Sequence, residues 1–148
     1  MEISFYHLTL QPLGVALPKL LSKVREAEMK AVIKVSSAAE MDDIDQVLWT
    51  YDNASFLVHD TEKSKNPEDQ PIYITTSDDN PASADVLVLT DGATCEMLSG
   101  YKRVLEMFDG NNTTAVEAAR GRWSKYKEDG YELTYWQQTE TGGWTKKA

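Results

Sequence analysis

The succession of three apolar patterns between Ile3 and Val35 constrains the fold more than any other feature. ISFYHL, from Ile3 to Leu8, is a β-branched and aromatic run of the kind that fits a pleated strand. Gln11-Pro12-Leu13-Gly14 interrupts it. From Pro18 onward, Leu20, Leu21, Val24 and Ala27 recur at helical spacing, with Lys19, Lys23, Arg25 and Glu28 around them. AVIKV, from Ala31 to Val35, then reads as a second short strand. Strand, crossover helix and strand make a βαβ unit, which calls for parallel pairing and a right-handed connection.

The alternation continues downstream. Ser37 and Glu40 have the spacing of a capping pair, and Met41, Ile44, Val47 and Leu48 give a helix that ends near Trp49. Pro71 to Thr75 is a third strand, set between polar loops at 61–71 and 77–85. Val86 to Thr90, VLVLT, is continuously apolar, the pattern of a central strand buried on both faces. Tyr101 to Phe108 fits strand or helix by periodicity; Gly100 and Asp109-Gly110 bound it tightly and favour a strand. Thr114 and Glu117 form a capping box, and Asp129-Gly130 supplies a left-handed stop, so a helix lies between them. Tyr131 to Gln137 is the last strand, and Trp144 to Ala148 reads as a polar tail. The sum is one α/β domain over residues 1–148, a mostly parallel twisted sheet flanked by helices. With 148 residues, 41% of them hydrophobic, the chain sustains one core and hardly two.

Charge narrows the partners. A net −9 opposes broad docking on DNA or on anionic membrane, because the summed field repels polyanions. Residues 36–70 hold nine acids against two lysines, a local −7 that reads as a solvated surface. Asp42, Asp43 and Asp45 lack the glycine and terminal glutamate of a calcium loop. The sequence has no apolar run of about 18 residues and no charged-then-apolar leader, so a cytoplasmic protein without a membrane span is expected. A single cysteine, Cys95, makes no internal disulfide, and with His7 and His59 it does not make a zinc site of the usual kinds. Neither a phosphate-binding G-x-x-x-x-G-K-S/T loop nor a G-x-G-x-x-G turn is present, so no metal and no cofactor is expected.

Two segments carry binding chemistry. On the helix after Thr114, Val116, Ala119, Trp123 and Tyr126 form one stripe; Arg120 and Lys127 lie beside Val116 and Trp123 at one margin, and Arg122 lies toward the other. These cations are either a solvated rim on a packed helix or a recognition margin. In the second case an arginine receives a carboxylate through forked hydrogen bonds while its apolar neighbours take a partner's ring. Trp49, Tyr51, Phe56 and Leu57 crowd around an Asp52-Asn53 turn, either as core plugs or as partner anchors. His59 reads as a hydrogen-bonded structural histidine. Asp91-Gly92, after the apolar strand, reads as a turn, although ligands bind at that end of α/β sheets. Two rivals remain: a small α/β enzyme for a nucleotide or other anionic metabolite using Asp91 or His59, and a single-strand binder stacking bases on Trp123, Tyr126 and Tyr131. The net acidity counts against the latter.

Five stretches taken in order carry a family resemblance: FYHL at Phe5 to Leu8, LWT with SF and His59 from Leu48, the VLVL strand, KRVLEMFDG, and AARGRWSKYKEDGYELTYWQQ. Together they resemble the chi subunit of bacterial DNA polymerase III over nearly the whole chain. The resemblance implies a Rossmann-like fold with no catalytic site of its own. It also implies an accessory subunit of the replicative DNA-directed DNA polymerase, attached to the clamp loader. Implied partners are the psi subunit and the acidic C-terminal tail of single-stranded DNA-binding protein, with DNA reached only indirectly. Carried over by position, the tail's terminal carboxylate falls to Arg120 and the aromatic one turn later is Trp123. Val116 stands where the family has a lysine, so that either capture of the acidic tail is weakened or Lys127 and Arg122 compensate. The psi or other subunit interface falls on Trp49, Phe56, Leu57 and His59, with Asp52 and Val58 in place of two family prolines.

Overall fold

The computed structural model describes residues 2–9, 13–50, 59–63, 65–90, 92–95, 98–141 and 143–147. Its elements are β1 (Glu2–Leu8), α1 (Leu13–Glu26), β2 (Ala31–Lys34), α2 (Ala38–Thr50), β3 (Asp60–Thr61), β4 (Ile72–Thr75), β5 (Val86–Thr90), β6 (Arg103–Asp109), α3 (Thr113–Glu128), β7 (Glu132–Gln138) and β8 (Trp144–Lys146). The strands form one sheet in the order β3-β4-β2-β5-β6-β1-β7-β8. Every pairing is parallel except that of β7 with β8. The fold is therefore the α/β class expected, with VLVLT of β5 in the interior of the sheet.

Alternation along the strands sorts the core into two layers. Val86 and Val88 of β5, with Leu105 and Met107 of β6, join Leu17 and Leu21 of α1 and Met41, Ile44 and Leu48 of α2. Leu87 and Leu89, with Val104 and Phe108, join Ile3, Phe5 and the α3 residues Ala119 and Tyr126. Thus α1 and α2 cover one face and α3 the other. After β1 the chain turns to β2 on one side, whereas after β6 it crosses to β7 on the other side. The neighbouring carboxyl ends of β1 and β6 are therefore the switch point, where such sheets ordinarily receive ligands.

Four local expectations need correction. First, α1 begins at Leu13, not Pro18, and Pro18 sits inside it. A proline there removes a backbone donor at a cost of about 3 kcal/mol. Ala16, Leu17, Leu20, Leu21 and Val24 are all buried, and at about 1.5–3 kcal/mol for each large side chain their burial outweighs that cost. Second, the cap of α3 is Asn112, whose Oδ1 accepts from the Ala115 N–H at 3.1 Å, so the Thr114–Glu117 box is not used. Third, the polar tail from Trp144 begins with a strand, β8, antiparallel to β7; the Trp144 ring meets Tyr6 edge-on at 5.1 Å, and Thr139 N–H donates to the Gly143 carbonyl at 2.8 Å to close the hairpin. Fourth, the polar loop from 61 contributes to the two-residue β3 beside β4.

Candidate functional site

Both ends of α3 are fixed by backbone chemistry. Beyond Asp129, Gly130 adopts φ +87°, Gly130 N–H donates to the Lys127 carbonyl at 3.2 Å, and Tyr131 N–H donates to the Tyr126 carbonyl at 3.2 Å. This paired closure is the Schellman stop that Asp129-Gly130 announces. The helix lays its stripe on an aromatic cluster centred on Phe5. Phe5 meets Trp123 at 5.3 Å, Tyr126 at 6.1 Å, Phe108 at 6.5 Å and Tyr135 at 6.3 Å, and Trp123 meets Tyr135 at 5.8 Å. Ala119 and Tyr126 are buried, Val116 and Trp123 are half-buried, and Arg120 and Lys127 are exposed. The structure thus brings Val116, Arg120, Trp123 and Lys127 to one margin.

The other margin differs. The Arg122 Nε donates to Oε1 of Glu106 on β6, and the two side chains are 14% and 2% exposed. Glu106 Oε2 is buried and has no well-formed hydrogen bond among the described residues, although the Tyr126 hydroxyl bears on the same carboxylate. Burial pushes the Glu106 carboxyl above its ordinary range, and Arg122 opposes that shift without reversing it. Arg122 is therefore a brace between helix and sheet. It does not stand with Arg120 as a compensating cation, because its charge is already answered inside the molecule. Arg120, by contrast, forms no ion pair among the described residues.

Two residues that the sequence reading leaves out lie within the field of Arg120. His7 Nδ1 lies 2.6 Å from the Tyr135 hydroxyl, and the charge of Arg120 acts on both groups. Burial pushes His7 below its ordinary value, helped by Arg120 and opposed by the Gly110 backbone and Asp109. Gly110 passes directly beneath the imidazole: a Cβ there would collide with the His7 ring and stand 2.7 Å from the Leu8 carbonyl oxygen.

Among the described residues, several strand ends are tied by internal hydrogen bonds. At the switch point, Gly110 N–H donates to the Leu8 carbonyl at 2.7 Å and Asn111 Nδ2 donates to the Thr9 carbonyl at 2.9 Å. Further along, Lys34 pairs with Asp78 and donates to the Thr94 carbonyl, while Thr90 donates to Glu40 at 2.9 Å. A cleft of about 490 Å³ lies on the Arg122 side of α3, lined by Phe108, Asp109, Asn112, Thr114, Ala115 and Ala118 among others. Its cation, Arg122, is the one already paired with Glu106. No group of three or more metal-ligating side chains is found among the described residues.

On the opposite face, Trp49 of α2 is 55% exposed. Its ring meets that of His59 at 5.3 Å, and the buried His59 places Nε2 3.0 Å from Asp45 Oδ1. This fits the expected structural histidine. Phe56 and Leu57, like Asp91, lie outside the described residues.

Among the described residues, fold and site define an α/β domain with several strand ends tied internally and with Arg120, Trp123 and Trp49 presented on helices. The family model described as DNA polymerase III chi subunit, HolC, matches residues 1–134, and the chain belongs to that family. The chain is also similar to the probable DNA polymerase III subunit chi of Rickettsia prowazekii (strain Madrid E), with 28% identity over 107 residues, 72% of this chain and 65% of that relative. The match thus spans just under two thirds of the relative's own length. No helix among the described residues is long and apolar enough to cross a membrane.

Proposed function

We propose that this chain is a non-catalytic accessory subunit of the DNA polymerase III holoenzyme, associated with the clamp loader. In this role it tethers the polymerase to single-stranded DNA-binding protein by gripping the acidic C-terminal tail of that protein. The margin of α3 performs the grip. Arg120 receives the terminal carboxylate, Trp123 and Val116 bound the place for the tail's aromatic ring, and Lys127 adds a cation one turn beyond Trp123. A second surface, around Trp49 and His59, docks on psi or another subunit.

The observation that carries this reading is an exposed guanidinium with no ion pair among the described residues, set beside a half-buried indole, in a chain of net charge −9. An acidic protein that leaves such a cation unanswered suits an anionic peptide better than nucleic acid. A hydrogen bond to a charged group contributes about 1.5–3 kcal/mol and a well-packed aromatic anchor about 2 kcal/mol or more. Ordering the tail offsets part of that gain, leaving micromolar affinity, near about −8 kcal/mol. Arg120→Ala is expected to weaken binding of a labelled tail peptide at least about tenfold in fluorescence anisotropy, with an unchanged circular dichroism spectrum. Equal affinity in the variant removes Arg120 from the site.

A further inference from the structure

We propose that Tyr135, oriented by His7, is a second hydrogen-bond donor to the carboxylate received by Arg120, and that it makes the site selective for a free chain terminus. This inference rests on the tail-binding reading above.

Tyr135 and His7 come from different parallel strands, 128 residues apart in sequence. The Tyr135 ring is held on four sides: stacked nearly parallel to Phe5, at 10°, and edge-on to Trp123, Phe108 and His7 at 5.8, 6.1 and 5.9 Å. Trp123 follows Arg120 by three residues and Val116 precedes it by four, so the Tyr135 ring adjoins the margin that carries Arg120. Its hydroxyl is fixed by His7, and His7 is fixed in turn by its close seat over Gly110. Both groups are thus placed before any ligand arrives, which spares the entropy of ordering them.

A phenolic hydroxyl has one hydrogen to give. While His7 Nδ1 offers a lone pair, that hydrogen is used on the imidazole, and a carboxylate would meet only oxygen lone pairs. Once Nδ1 carries a hydrogen, it donates to the Tyr135 oxygen, and the hydroxyl hydrogen turns to the carboxylate. A shift of hydrogen from Nε2 would serve in the neutral ring, but the Gly110 backbone bond favours the protonated form, so ligand binding favours the imidazolium. The groups facing His7 are Asp109 from β6, Arg120 from α3, Tyr135 from β7 and the Gly110 backbone. Burial and Arg120 hold the imidazole neutral in the free protein, and a bound carboxylate cancels the Arg120 contribution. By linkage, affinity rises as pH falls below the ordinary histidine range, while the peptide terminus, with a pKa of about 3.3–3.7, stays ionised.

The test uses the full chain and two labelled acidic peptides of the same sequence, each ending in an aromatic residue, one with a free carboxylate and one with a carboxamide. Tyr135→Phe keeps the ring and its packing. It is expected to weaken the free-carboxylate peptide about tenfold and to leave the carboxamide peptide unchanged. Wild-type affinity for the free peptide is expected to rise between pH 7.5 and 5.5, and Tyr135→Phe to flatten that rise. If Tyr135→Phe binds the free peptide as wild type does while Arg120→Ala loses it, this inference alone is overturned. If wild type binds neither peptide, or Arg120→Ala matches wild type, the tail reading fails and takes this inference with it.

Discussion

A buried carboxylate is costly unless a cation and enough donors answer it, and the cation that answers Glu106 is Arg122. Removing Arg122 would leave that charge alone. Arg122→Met is therefore expected to destabilise the fold by about 3–5 kcal/mol in urea denaturation at neutral pH, whereas Arg120→Ala changes stability by less than about 0.5 kcal/mol. The sign of the pH dependence follows from burial. Because the folded Glu106 value is raised, its contribution to stability is full below the ordinary glutamate range and is lost as pH rises through the folded value. The deficit of Arg122→Met should accordingly shrink as the pH is lowered. A small, pH-independent deficit would show that the pair is not a brace. Arg120, Trp123 and Trp49 are legible from the sequence because helical spacing alone puts a residue on a face. The partners of Arg122 and Tyr135 are not legible. Glu106 turns toward α3 only through the alternation of β6, and His7 meets Tyr135 only because β1 and β7 run side by side.

Elements announce their ends more clearly than their beginnings. The α3 stop depends on glycine at a positive φ, a requirement few other residues meet, so Asp129-Gly130 is readable at sight. Its start is shared among several polar residues that could each cap, and geometry chooses Asn112. Asn112→Ala is expected to lower stability by about 1 kcal/mol, a fall of roughly 2–4 °C in melting temperature by circular dichroism. The same loss from Thr114→Ala would move the cap back to the capping-box position. Pro18 misleads for a related reason. Local propensity opposes a helix there, whereas the buried face that overrules it becomes visible only once β5 and β6 supply the surface beneath α1. Trp144 is likewise a tail by composition and a strand by virtue of Tyr6, which lies far away in the chain.

Across the whole molecule, the sheet stands between two surfaces, with α2 and Trp49 on one face and α3 with Arg120 on the other. Perturbing one should leave the other untouched. Trp49→Ala is expected to keep the fold and hold tail-peptide affinity within about twofold, while weakening a psi-type subunit contact about thirtyfold or more in titration calorimetry. Loss of folding in that variant would instead make the indole a packing residue. The order of the sheet also decides which backbone its rims expose. Its two outermost strands, β3 and β8, are two and three residues long, and lysines stand at 146 and 147 beside the second. An unpaired strand edge is a template on which another chain can add, and these offer few free amides and carbonyls for that addition. Among the described residues, the sheet thus presents little open backbone on which a further copy could lengthen it.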